Sequence, residues 1–133
     1  MNYFEPNLTP DELRAISAIG LAHMGDAVYE TLVRTWLCVH GKATGKELHR
    51  ATIALVCAQK QAELAQRVLP QLTEEELAVY KRGRNANVHA MPRSATPAQY
   101  HAATGLECLM GWLYLQGNKE RAEQLFHAMM EEE

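Results

Sequence analysis

Apolar residues along the chain recur at spacings of three and four, and no segment alternates in the period of two that marks a strand. The spacing predicts helices over residues 10–18, 20–39, 45–68, 74–83, 97–116 and 119–130, an all-α fold of about six helices. Three of their starts repeat one logic. Thr9-Pro10-Asp11-Glu12, Thr73-Glu74-Glu75-Glu76 and Thr96-Pro97-Ala98-Gln99 each place a threonine three residues before Glu or Gln, the spacing of a capping box. In two of them a proline follows the cap, where its missing N–H costs nothing. Gly41 and Gly117 stand where helices should stop. Residues 84–96, RNANVHAMPRSAT, lack apolar periodicity and read as a surface loop.

With 133 residues, 47% of them hydrophobic, the chain suits a single domain, 1–133, with its core over about residues 10–130. The opening MNYFEPNLTPDELR has acids where a signal peptide has bases, and no run approaches the roughly 18 apolar residues of a membrane span. A cytoplasmic protein is expected. Cys38, Cys57 and Cys108 are odd in number, far apart and without a CxxC pair, and read as small core residues.

The formal net charge of −3 hides an uneven distribution. Setting aside the acidic blocks Glu74–Glu76 and Glu131–Glu133 leaves 10 acids against 13 bases. From Leu77 to Leu106 there is no acid, but Lys81, Arg82, Arg84 and Arg93 are there with His89 and His101; a second acid-free stretch, Thr31 to Lys46, carries Arg34, Lys42 and Lys46. Two basic stretches on an acidic chain keep a polyanionic partner open.

Two acids sit inside apolar helical stretches: Asp26 among Leu21, Met24, Val28, Leu32 and Val33, and Glu107 among Leu106, Cys108, Leu109 and Met110. A buried carboxylate is costly unless paired or bound to a metal. Either each pairs with an arginine, Arg34 or Arg84 for instance, or the two share a cation. Glu30, four residues after Asp26, fits a supporting role or an ion pair with Arg34 at i+4. Gly25 precedes Asp26 and Gly105 and Gly111 bracket Glu107, which points to close approach of helices or of a ligand, or to core packing.

The motifs GDAVYE (25–30), KRGRNA (81–86) and ATGLECLMGWLYL (103–115), with GKELHRATIALVCAQKQAELA (45–65) between them, closely resemble the Mini-III ribonucleases, short bacterial relatives of ribonuclease III. The resemblance covers about residues 10–130 and three motifs in family order. It implies an all-helical endonuclease of the ribonuclease III type, a homodimer, magnesium dependence, and cleavage of double-stranded RNA, with the ends of precursor 23S ribosomal RNA as substrate. By position, Asp26 and Glu107 match the family's magnesium-binding acids and are the expected catalytic pair. Full-length relatives have two further acids where this chain has Ala22 and Thr104, losses that Mini-III members generally share. Two carboxylates support one ion firmly, with water, Thr104 or substrate phosphate completing its shell. Magnesium so held would bind a scissile phosphate, activate a water and offset charge on the leaving 3′ oxygen. His23 is a candidate proton shuttle, with Glu30 and Thr104 as further supports, although a packed or interface histidine is the commoner role.

Full-length ribonuclease III has a separate double-stranded RNA-binding domain, for which the chain, ending in MEEE, leaves no room. Substrate grip is therefore expected from the catalytic domain and its dimer mate: Lys81, Arg82, Arg84, Asn85 and Arg93, with Asn87 where the family often has lysine. Two sites facing one groove would let a symmetric dimer cut both strands. A ribosomal protein is a candidate for presenting the substrate. The competing expectation is a non-catalytic RNA-binding or ribosome-assembly protein on the same fold, which need not keep Asp26 and Glu107 together. A His-Asp phosphohydrolase is disfavoured because no HD dipeptide occurs.

Overall fold

Each of the three capping threonines begins a helix. In the computed structural model, which describes residues 1–41, 44–86 and 94–130, Thr9, Thr73 and Thr96 all form reciprocal capping boxes, and α1 (Pro10–Arg14), α5 (Glu74–Arg84) and α6 (Pro97–Leu115) follow them. The other helices are α2 (Ala18–Val39), α3 (Gly45–Val56), α4 (Ala58–Val68) and α7 (Lys119–Met130), with a 3₁₀ turn at Leu69–Gln71. Gly41 and Gly117 take positive φ, 89° and 87°, in the left-handed region that lets a chain leave a helix. No strand occurs among the described residues, and no helix there is long and apolar enough to cross a membrane.

α6 runs through the middle of the molecule and packs on α2, α5, α4 and α7. That central position explains its composition: ten of its residues, from Ala102 to Leu113, are buried. Leu106, Leu109, Met110 and Leu113 form the main core with Tyr29, Val33 and Leu37 of α2, Leu64 and Val68 of α4, and Leu125, Phe126 and Met129 of α7. A second cluster, Leu13, Leu21, Ala22, Val79 and Cys108, closes the other side.

Three expectations need correction. The first helix ends at Arg14, because Ser17 caps a new one by accepting from the Gly20 N–H. The helix expected over 45–68 is two, broken at Cys57, whose backbone is extended (φ −67°, ψ 154°). The break is stable because its freed carbonyls find donors: Tyr29 Oη donates to Leu55 O at 2.7 Å and Gln61 Nε2 to Val56 O at 2.8 Å. Of the cysteines only Cys108 is buried, whereas Cys57 is half-buried and Cys38 exposed.

The acidic block 74–76 also does more than begin a helix. Glu76 is buried and accepts from Arg121 Nε at 2.8 Å and Nη2 at 2.9 Å, and Nη2 also donates to Gln71 O. That guanidinium holds the Glu76 carboxyl below the usual range.

Candidate active site

Two glycines bring the acids together. A Cβ on Gly25 would lie 1.6 Å from the Glu107 carbonyl oxygen, and one on Gly111 would lie 2.0 Å from that of Leu21. α2 and α6 therefore meet backbone to backbone, and the residue after Gly25, Asp26, stands beside Glu107. The expectation of close helix approach at Gly25, Gly105 and Gly111 holds, since Gly105 likewise lies against the Tyr80 carbonyl of α5.

The two carboxylates differ in setting. Asp26 is exposed, contrary to its reading as a member of a buried face; the buried positions of that stretch are Leu21, Ala22, Gly25 and Tyr29, and Asp26 opens to solvent one step round the helix. Glu107 is half-buried. Burial, and then the negative charge of Asp26, push the Glu107 carboxyl up to about 8, and a hydrogen bond from Gln61 opposes them. Gln61 Nε2 donates to Glu107 Oε2 at 3.3 Å and reaches the Val56 carbonyl as well. Tyr29, three residues after Asp26, is raised above its ordinary value by burial first, and also by the charges of Cys57 and Glu107.

The arginines that were alternative partners are engaged elsewhere. Arg34 pairs with Glu30 at 2.6 Å, and Arg84 lies 6.0 Å over the Tyr80 ring with its Nε donating to Asn85 Oδ1. Among the described residues no cationic side chain pairs with Asp26 or Glu107, and no third His, Cys, Asp or Glu joins them. Two neighbouring carboxylates, one of them pushed toward protonation by the other, fit a hard divalent cation with oxygen ligands.

The remaining candidates separate into two groups. His23 and Glu30 line an open depression with Asp26, together with Met24, Ala27, Thr31 and Arg34. Thr104 is buried and donates its hydroxyl proton to the Tyr100 carbonyl at 3.0 Å, one turn back in its own helix. The basic residues Lys81, Arg82 and Arg84 are exposed on the last turn of α5, the end where cations are favoured, and Asn85 caps it. Gly83 fastens this turn to α6, since a Cβ there would lie 2.4 Å from that of Cys108, next in chain to Glu107. Arg93, with Lys42, Asn87 and His89, lies outside the described residues.

Gln61 was missed in the sequence, although a signal existed: it takes the first place of the buried stripe Gln61, Leu64, Ala65 and Val68. A lone amide at the head of such a stripe needs partners.

The Ribonuclease III domain model matches residues 20–118 of this all-helical domain, a stretch that includes both acids of the helix crossing, and makes the chain a ribonuclease III-type endonuclease. Relatives named Mini-ribonuclease 3 include those of Symbiobacterium thermophilum, 45% identical over 81% of this chain and 83% of that one, and Enterococcus faecalis, 42% identical over 87% and 89%. A crystal structure of a protein from Fusobacterium nucleatum superposes with a TM-score of 0.79 at 30% identity, covering 86% of this chain and 93% of that one. The chain belongs to the Mini-ribonuclease 3 family, and it is an endoribonuclease that acts on double-stranded RNA.

Proposed function

We propose that this endoribonuclease works with one magnesium ion held by Asp26 and Glu107, giving 5′-phosphate and 3′-hydroxyl ends. The observation that carries this reading is the close carboxylate pair, without a basic partner among the described residues, in which Asp26 raises Glu107. When bound, magnesium supplies Lewis acidity toward phosphate and water. Glu107 holds its place from the packed side through Gln61, while exposed Asp26 presents its oxygens toward the substrate side. His23, on the rim of the Asp26 depression, is placed to exchange protons with solvent, and the Glu30–Arg34 pair fixes the next turn. Thr104 supports the Glu107 turn through its bond to Tyr100.

The substrate on this reading is the duplex at the ends of precursor 23S ribosomal RNA, cut in the cytoplasm by a homodimer to which a ribosomal protein presents it. Long duplex RNA incubated with the protein should be cut in magnesium and left intact with a chelator; equal cutting in both would overturn the metal reading.

Grip comes from the exposed last turn of α5, with Lys81, Arg82, Arg84 and Asn85 contacting phosphates; Arg93, outside the described residues, is the further basic residue of this reading. Arg82→Ala or Arg84→Ala should weaken duplex binding and lower the slope of log K against log salt by about 1. A slope equal to the parent's would mean that another surface carries the RNA.

A further inference from the structure

Gln61 is only 2% exposed, at a position where an aliphatic side chain would continue the stripe of Leu64, Ala65 and Val68. Its amide orientation is fixed by chemistry: Glu107 Oε2 at 3.3 Å and the Val56 carbonyl at 2.8 Å are both acceptors, so the NH₂ group faces both. Its Oε1 is buried and takes no hydrogen bond from any described group of the protein.

The Val56 carbonyl is available because the chain breaks at Cys57, and its neighbour Leu55 is tied to α2 by Tyr29. Gln61 therefore links a point anchored on α2 to the carboxylate on α6. Its neutrality matters too. A lysine or arginine in this place would cancel the Glu107 charge and compete with a cation, whereas an amide fixes the carboxylate and leaves its charge to be used.

We propose that Gln61 is a positioning residue of the reaction, whose amide holds Glu107 Oε2 so that the carboxylate and Asp26 converge on one divalent cation. This rests on the reading that Asp26 and Glu107 bind magnesium. Hydrogen bonds to metal-ligating carboxylates set ligand orientation, and their loss typically weakens metal binding about 10- to 100-fold.

The test uses Gln61→Met and Gln61→Leu, which remove the amide and keep the volume. Manganese serves as the probe, with free Mn²⁺ counted by electron paramagnetic resonance on RNA-free protein, beside thermal melts and steady-state cleavage of a duplex. The expected result is manganese binding about tenfold weaker or more, a melting temperature near the parent's, a lower kcat at unchanged KM for RNA, and recovery of rate at high metal concentration. Parent-like manganese affinity in a folded variant would overturn the proposal, and so would failure of both variants to fold, which would assign the amide to stability. Asp26→Asn separates the two readings. If it binds manganese as tightly as the parent, the metal reading itself falls; if it loses binding while Gln61→Met keeps it, only the role of Gln61 falls.

Discussion

Replacing Gly25 with alanine should destabilise the protein by about 3 kcal/mol, toward the upper end of overpacking costs, and lower its melting temperature by roughly 10 °C. In an ordinary helix the same change is favourable by about 1 kcal/mol. Here the new methyl would meet the Glu107 carbonyl oxygen at 1.6 Å, its carbon at 2.5 Å and the Gly111 nitrogen at 2.8 Å. All three are backbone atoms of α6, so no rotamer change relieves the clash, and the two helices must separate. Their separation also moves Asp26 away from Glu107. Since a misplacement of about 1 Å can cost on the order of 100-fold in rate, cleavage below the melting transition should fall by a comparable factor. A thermal melt and a cleavage rate at 20–25 °C check both halves; a variant melting within about 2 °C of the parent would show slack between α2 and α6.

The same contact shows how far the sequence could be read. Helix starts were legible because a capping box is local, with Thr9, Thr73 and Thr96 bonding within four residues of chain. The acid pair was legible because carboxylates inside apolar stretches are conspicuous, and the flanking glycines because they cost helix stability without some return in packing. The break at Cys57 was not, since what tolerates it is a hydroxyl from Tyr29, 26 positions from Leu55. Periodicity passes through 45–68 because Gln61, Leu64, Ala65 and Val68 continue a helical stripe after the break. Glu76 looked like the closing residue of a capping box, which it is, and only the return of α7, which brings Arg121, makes it a buried ion pair as well. Asp26 went the other way: its apolar neighbours flank it in sequence, but a helix turns 100° per residue, and its own direction is open. Its exposure matters for the proposed function, in which the exposed carboxylate meets a phosphate from solvent while its half-buried partner stays fixed.

Asp26→Asn should abolish magnesium-dependent cutting, by at least about a thousandfold, or roughly 4 kcal/mol in the barrier, while leaving the fold intact. The asymmetry of the pair supplies the reason. Because Asp26 is exposed, its replacement removes no core contact, and because its charge helps raise Glu107 toward about 8, its removal relieves repulsion between like charges. The melting temperature of Asp26→Asn without metal should therefore equal or exceed the parent's. A loss of activity accompanied by a gain or no change in stability is the opposite of what a structural carboxylate gives, since breaking a buried ion pair destabilises by about 3–5 kcal/mol. Glu107→Gln should lose activity to a similar extent, and the double variant should be scarcely worse than either single one, because residues that hold one ion act as a unit. Rates on a long RNA duplex with matched melts decide it. Unchanged cleavage by Asp26→Asn would overturn the mechanism, and a double variant slower by the product of the single losses would show that the two acids act independently.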